Sequence, residues 1–258
     1  MSPLETFLAT RFMIFTLVLA RISGMMVIAP IYGSLGMPRR VRALLAVALS
    51  LLVAPVYLQA SIPPVTNLGS YAHLLANEVA VGLLIGLGIN VLFSGIQVAG
   101  QIVSQMSGMS LADIFSPGFE ENVSVFSQMF YMLTVAVFVA IGGHRFMAEA
   151  LLQTFEFAPP GHATLGDSFV EALTNLMSQS FVLGVHAAAP LLVALSLATL
   201  VLGLISRTLP QINIIAVGFG VNSFITLAMT LLSLGAIAWT FQDPAIDALH
   251  QLQEALLH

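Results

Sequence analysis

Six apolar stretches dominate the chain, at Phe12–Ile28, Val41–Tyr57, Val79–Val98, Val125–Gly142, Phe181–Ile205 and Ile214–Phe241. They are continuous rather than alternating, so they read as helices and not as the strands of a barrel. Only 7% of the 258 residues are charged, against about a quarter in soluble domains. Such a surface cannot be kept wet, and lipid or protein must cover most of it. In lipid every backbone polar group has to be satisfied within the chain, which a helix achieves. The expected fold class is therefore all-α, a multi-helix integral membrane-type protein.

Details of these runs narrow that expectation. A simple span needs about 20 residues, with a range of roughly 17–25. Several runs sit at the short end, and Pro55, Pro190 and many glycines border or interrupt them. Short, Gly/Pro-interrupted helices are tolerated where protein or a water cavity satisfies the freed backbone. Phe12–Ala20 after Arg11 imitates a signal peptide, but Arg21 breaks it and the apolar pattern resumes, so it reads as a retained first helix. The connector Glu156–Asp167, with Pro159-Pro160-Gly161, is the candidate subdivision; no fixed-period repeat is present. With six spans, Arg39, Arg40, Arg42 and Arg207 fall on one side and Arg11 and Arg145 on the other, which favours an N-terminus outside the cytoplasm.

Whole classes of function drop out on composition. All seven basic residues are arginine and the net charge is −5, so the basic patch of a nucleic-acid partner is missing. There is no cysteine, which removes disulfides, thiolate metal sites and cysteine nucleophiles. The histidines His73, His144, His162, His186, His250 and His258 are scattered, with no HExxH spacing, and no GxSxG or Walker loop occurs. No cofactor, metal or catalytic residue is expected, and the chain reads as a non-enzyme.

The feature that points to function is a line of neutral polar residues inside an apolar helix. Asn90, Ser94, Gln97, Gln101 and Ser104 are spaced by four, three, four and three, which places them in one arc at about 100° per residue. Facing lipid without partners, amides and hydroxyls would cost about 1–3 kcal/mol each. This face therefore meets either another helix, as in many membrane bundles, or water, as the wall of an uncharged conduit. Ser124, Gln128 and Tyr131 form a weaker stripe, as do Asn222, Thr226 and Ser233. Gly82 and Gly86, and Gly218 and Gly220, read as close-packing positions.

Charges complete the picture. Arg39, Arg40 and Arg42 read as a topogenic anchor or a contact for acidic partner or lipid groups. Arg21, midway along a run, must face protein and find carbonyls or a carboxylate such as Glu78. Glu78, Asp113, Glu149 and Glu156 fall at or beyond the expected helix ends, which argues against a small-solute transporter with deep carboxylates.

An ordered set of motifs carries a resemblance. It runs from Arg21-Ile22-Ser23-Gly24 and Ala29-Pro30 through Met37-Pro38-Arg39-Arg40-Val41-Arg42-Ala43-Leu44-Leu45-Ala46 and Gly82–Gly86. It continues with Gln97-Val98-Ala99-Gly100, Gln105-Met106-Ser107-Gly108-Met109-Ser110 and Ile141-Gly142-Gly143-His144. It closes with Arg207-Thr208-Leu209-Pro210-Gln211-Ile212-Asn213 and Val217-Gly218-Phe219. In order and spacing the set resembles the FliR/SctT family (SpaR included) of type III protein-export gate subunits. The resemblance implies a pore-forming subunit packed with FliP and FliQ, and with further export-apparatus membrane proteins, in a larger helical complex of the bacterial inner membrane at the flagellar basal body. Its cargo would be exported polypeptides. Residues 1–170 would be FliP-like and 171–258 a FliQ-like helical hairpin and tail. The loop Gly108–Pro117 would plug the closed pore, with Leu111 and Ile114 at the plugging positions and Phe115 adjacent. The equivalent subunit of a virulence injectisome is the nearest alternative, and a stand-alone small-solute channel or transporter a more distant one.

Overall fold

The structure, a computed structural model, describes residues 3–33, 37–58, 63–65, 67–108, 124–163, 167–209, 211 and 213–255. Among these residues the regular structure is helical throughout: α1 (Pro3–Ile28), α2 (Arg39–Val53) running on into a 3-10 turn (Ala54–Tyr57), α3 (Leu68–Ser107), α4 (Val125–Ala140), α5 (Gly143–Phe157), α6 (Asp167–Thr208) and α7 (Ile214–Ala255). The all-α expectation holds. The expectation of short helices holds for α2, α4 and α5, of 15, 16 and 15 residues. By contrast, α3 has 40 residues and α6 and α7 have 42 each. At 1.5 Å per residue those three are about 60 Å long, twice the roughly 30 Å hydrocarbon core. Pro190 and Pro244 lie inside α6 and α7 without ending them.

Helix ends are set locally. At the start of α3 the Asn67 Oδ1 accepts from the Ser70 amide at 2.8 Å, and Ser70 Oγ accepts from the Asn67 amide at 3.3 Å, a reciprocal cap. Ser124 caps α4 by accepting from the Ser127 amide, and Asn213 caps α7 through the Ala216 amide. Gly108, at φ +80°, closes α3, and Gly142, also at φ +80°, separates α4 from α5, a left-handed conformation that glycine adopts without penalty.

Among the described residues five helical segments are long and apolar enough to cross a membrane: Phe7–Ile28, Arg39–Tyr57, Leu68–Ser107, Val170–Thr208 and Ala216–Ser233. The fourth apolar run, expected as a span of its own, is a 16-residue helix, and it makes a sixth span only when taken together with α5. The chain is an all-α membrane protein.

By internal contacts the chain forms two compact units, residues 1–91, 142–176 and 245–258 in the first, and 92–141 and 177–244 in the second. In the first unit α1 buries Ile14, Leu17, Val18, Ile22, Met25 and Met26 and packs backbone to backbone on α3. Gly82 lies against the Arg21 carbonyl, Gly24 against the Val79 carbonyl, and a Cβ on Gly86 would come within 2.9 Å of the Met25 carbonyl oxygen. The GxxxG pair Gly82–Gly86 thus does what its spacing predicts.

In the second unit Phe93, Phe138 and Phe241 meet edge to face, with Phe93 centroids 5.4 and 5.3 Å from the other two. Gly95 faces the Ser180 and Gly184 backbone, and a Cβ on Gly100 would sit 2.6 Å from Ser127 Cα. Gly218 is buried beside Leu202, whereas Gly220 is exposed with nothing near it.

These approaches leave no room for a side chain. Gly82→Val should cost about 1–3 kcal/mol or more through overpacking, while Gly235→Val, in open space, should stay within about 0.5 kcal/mol. Thermal unfolding of the two purified variants in detergent measures the difference; equal midpoints would show that the α1–α3 contact is not this tight.

Candidate functional site, a polar helix face and a buried ion-pair network

The polar line on α3 runs from the outside inward. Asn90 and Ser94 are exposed, Gln97 and Gln101 are half-buried, and Ser104 is buried. The Gln97 carbonyl accepts from Ser127 Oγ of α4 at 2.9 Å, and the Ser104 carbonyl from Ser107 Oγ, also at 2.9 Å. The buried side of α3 in the second unit is formed instead by Leu92, Phe93, Ile96, Ala99 and Val103. Among the described residues the amide-bearing face is only partly covered, with Asn90 exposed and Gln97 and Gln101 half-buried beside exposed Val98 and Ile102. Gln105, four residues after Gln101, is exposed on the rim of the same face. Its spacing of four from Gln101 is the signal in the sequence that marks it.

The weaker stripes diverge. Ser124 is buried in its capping role while Gln128 is exposed, and Tyr131 packs edge-on against Phe93. On α7, Thr226 and Ser233 are buried and donate to the Asn222 and Thr230 carbonyls, so that stripe faces inward and its hydroxyls are spent on their own helix.

Arg21 and Glu78 are fully buried and paired, Nε to Oε2 at 2.6 Å. Around this pair every polar atom named finds a partner. Nη1 donates to the Thr154 carbonyl at 2.9 Å and to Thr154 Oγ1 at 3.1 Å, and Nη2 donates to the Ala158 carbonyl at 2.9 Å. Glu78 Oε1 accepts from the Gly161 amide at 2.7 Å, and the guanidinium lies 4.1 Å from the Phe155 ring centroid. The Thr154 and Ala158 carbonyls belong to the C-terminal end of α5, where a cation is favoured; the Thr154 carbonyl also accepts from the Ala158 amide at 2.9 Å. The guanidinium fork thus caps α5 while its counter-ion holds the Pro159-Pro160-Gly161 turn. Arg21 thus meets carbonyls and Glu78, the partners expected of it. Glu78 is expected at a helix end, and the structure corrects this: Glu78 lies inside α3, because that helix begins at Leu68, upstream of the apolar run. Glu149 likewise lies within α5; Asp113 is outside the described residues.

Arg39 and Arg40 are exposed and Arg42 half-buried, all at the start of α2, whose first turn holds no acidic residue. Cations there oppose the helix dipole, so these charges do not serve the helix itself. Leu111, Ile114 and Phe115 lie outside the described residues, as does most of the loop Gly108–Pro117. No cluster of three or more metal-ligating side chains occurs among the described residues.

Comparison with known proteins now bears on these features. The family of bacterial export proteins, family 1, matches residues 12–246. The chain belongs to that family. Within the FliR family it is 31% identical to the flagellar biosynthetic protein FliR of Aquifex aeolicus, covering 86% of this chain and 87% of the relative. It is 27% identical to FliR of Caulobacter vibrioides, over 91% and 94% of the two chains, and 29% identical to FliR of Escherichia coli, over 83% and 81%. The family match takes in α1 through most of α7, and so covers both the amide-bearing face and the Arg21 network.

In this FliR-family chain the network generates a direct expectation. Glu78→Ala leaves a buried guanidinium without its counter-ion and should cost about 3–5 kcal/mol. The Arg21→Met, Glu78→Met double variant should lose less than the sum of its single changes. A double-mutant cycle on unfolding in detergent reads the coupling; additive losses would show that the two charges do not depend on each other.

Proposed function

We propose that the chain is a structural, pore-forming subunit of the type III protein export gate at the flagellar basal body, in the bacterial inner membrane. There it would assemble with FliP and FliQ and pass unfolded flagellar proteins. The observation that carries this reading is the face of α3 bearing Asn90, Gln97 and Gln101, of which Asn90 is exposed and the two glutamines half-buried among the described residues. In hydrocarbon those groups would cost about 1–3 kcal/mol each, so water or a partner subunit must meet them. An uncharged, amide-rich wall suits a passage for varied polypeptides, because it neither binds strongly nor sorts by charge. The shared name of the relatives, flagellar biosynthetic protein FliR, favours the flagellar machine over a virulence injectisome. A stand-alone transporter is disfavoured because Glu78, the carboxylate inside α3, is already committed to Arg21 and the Gly161 amide.

In this reading the segment that follows Gly108 supplies the closure. Leu111 and Ile114, with Phe115 beside them, block the passage until cargo arrives. Residues 1–170 act as the FliP-like part and 171–258 as the FliQ-like part. Arg39, Arg40 and Arg42 meet anionic lipid headgroups or acidic partner groups. The length of α3, α6 and α7, about twice a bilayer's hydrocarbon core, fits an assembly in which protein rather than lipid covers much of each helix.

Three experiments test the proposal. Tagged chain purified from native membranes should bring down FliP and FliQ; recovery of the chain alone as a homo-oligomer would refute the assembly. In the assembled complex, cysteines replacing Asn90, Ser94 and Gln101 should react with water-borne thiol reagents, and a dry, unreactive face would refute the conduit. Replacing Leu111 and Ile114 with glycine should raise ion leak, and unchanged conductance in a correctly assembled complex would remove the plug.

A further inference from the structure

Helix α2 leaves most of its surface uncovered among the described residues. Its buried residues are Ala46, Ser50 and Val53, and half-buried Arg42 lies on that same side, four residues before Ala46. The rest of the helix carries two exposed apolar rows. Leu44, Val47 and Leu51 form one, and Leu45, Ala48 and Leu52 the other, each at spacings of three and four. Leu44 and Leu52 are 69% and 73% exposed. Arg40, four residues before Leu44, heads the first row, with Arg39 next to it in the chain. Both arginines are exposed, and among the described residues neither is in an ion pair. The first turn of α2 holds no acidic residue to neutralise them.

Charge and dimensions together select the occupant. From Arg40 to Leu51 the helix rises about 16 Å, and one leaflet of a roughly 30 Å hydrocarbon core is about 15 Å deep. The occupant must offer negative charge at one end and a leaflet's depth of hydrocarbon below it, in two strands side by side. An acidic loop of a partner protein would satisfy the arginines and leave the rows bare, and an apolar helix would do the reverse. A zwitterionic headgroup would bring its own cation to the two already there. We propose that an anionic phospholipid sits on α2, its phosphate held by Arg39 and Arg40 and its acyl chains along the two rows. The site deepens the export-gate reading and rests on the lipid side of the role given there to these arginines.

The chain has a single tryptophan, Trp239, so a fluorescent reporter is simple to place. In a Trp239→Phe background, Leu44→Trp puts the fluorophore on the first row, below Arg40. Val193→Trp puts it on α6, where Val193 is 60% exposed and the helix's arginine, Arg207, lies in the last turn. The full chain is reconstituted in mixed bilayers of phosphatidylglycerol and phosphatidylcholine, one or the other carrying dibrominated acyl chains, and quenching gives their relative binding. Phosphatidylglycerol should be preferred at Leu44→Trp, while the two lipids should quench Val193→Trp alike. Arg40→Gln should lower the preference about fivefold, the factor for one basic side chain at an anionic surface. Arg40→Lys, which keeps the charge, should retain most of it.

Equal quenching by the two lipids at Leu44→Trp would overturn the site, and so would a preference that survives Arg39→Gln combined with Arg40→Gln. Should that double variant fail to reconstitute, native mass spectrometry of the unsubstituted chain carries the test. Phosphatidylglycerol adducts should then outlast phosphatidylcholine adducts as detergent strips lipid, and equal retention would overturn the site. In the complex purified from native membranes and reconstituted in the same bilayers, Leu44→Trp should still be quenched. Loss of quenching there would hand the face to a partner subunit and overturn the lipid. The phosphatidylglycerol preference in a chain that recovers neither FliP nor FliQ would refute the gate reading alone. A complete complex without that preference would refute the lipid site alone.

Discussion

The buried pair Arg21–Glu78 organises the first unit. An isolated guanidinium in an apolar interior is prohibitive, and one paired only to a carboxylate does little better than break even. Here the surrounding backbone makes the difference: two carbonyls at the end of α5 and the amide of Gly161 complete the hydrogen bonding of both ions. One interaction therefore fixes α1 to α3, terminates α5 and pins the Pro159-Pro160-Gly161 turn. Because the groups are worth having only together, the arrangement is cooperative, and removal of any one member strands the rest.

Elsewhere the chain relies on proximity of backbones rather than on polar cross-links. Buried hydroxyls mostly donate within their own helix, as Ser50 does to the Ala46 carbonyl and Thr134 to the Phe130 carbonyl. Ser127 Oγ reaching the Gln97 carbonyl is an exception. Helix association in an apolar surround gains little from the hydrophobic effect and depends on packing, and this explains why the glycines at the α1–α3 and α3–α6 contacts are where they are. The amides on the polar face of α3 differ, with Asn90 exposed and Gln97 and Gln101 half-buried.

Much of this was legible from residue order alone. An arginine inside an apolar run has to find a partner, and Glu78 was the carboxylate within reach. The helix that carries Glu78 was misjudged because hydropathy registers where a segment is apolar, and α3 continues through polar residues at both ends, from Leu68 to beyond Gln101 and Ser104. The other members of the network could not be read, since Thr154 and Ala158 lie 133 and 137 positions from Arg21 and no local pattern marks a carbonyl as an acceptor. The spacing of the polar stripe says nothing of its gradient from exposed Asn90 to buried Ser104, which depends on what packs over each turn of α3. Gln105 is exposed on the rim of the same face, four residues after Gln101, so that the stripe forks at its end between Ser104 and Gln105.

The contact of Gly95 with Gly184 and the Ser180 backbone has a consequence for how α3 and α6 find their alignment. A seam of interdigitating leucines can slip by a turn and repack at modest cost, whereas this seam is keyed. Sliding α3 by one turn would bring Val91 or Ala99 opposite the same backbone, and neither can approach as closely as glycine does. The junction also freezes no side-chain rotamers when it forms. It thus admits a single register from the moment the two helices meet, and every later contact in that unit inherits the alignment it sets.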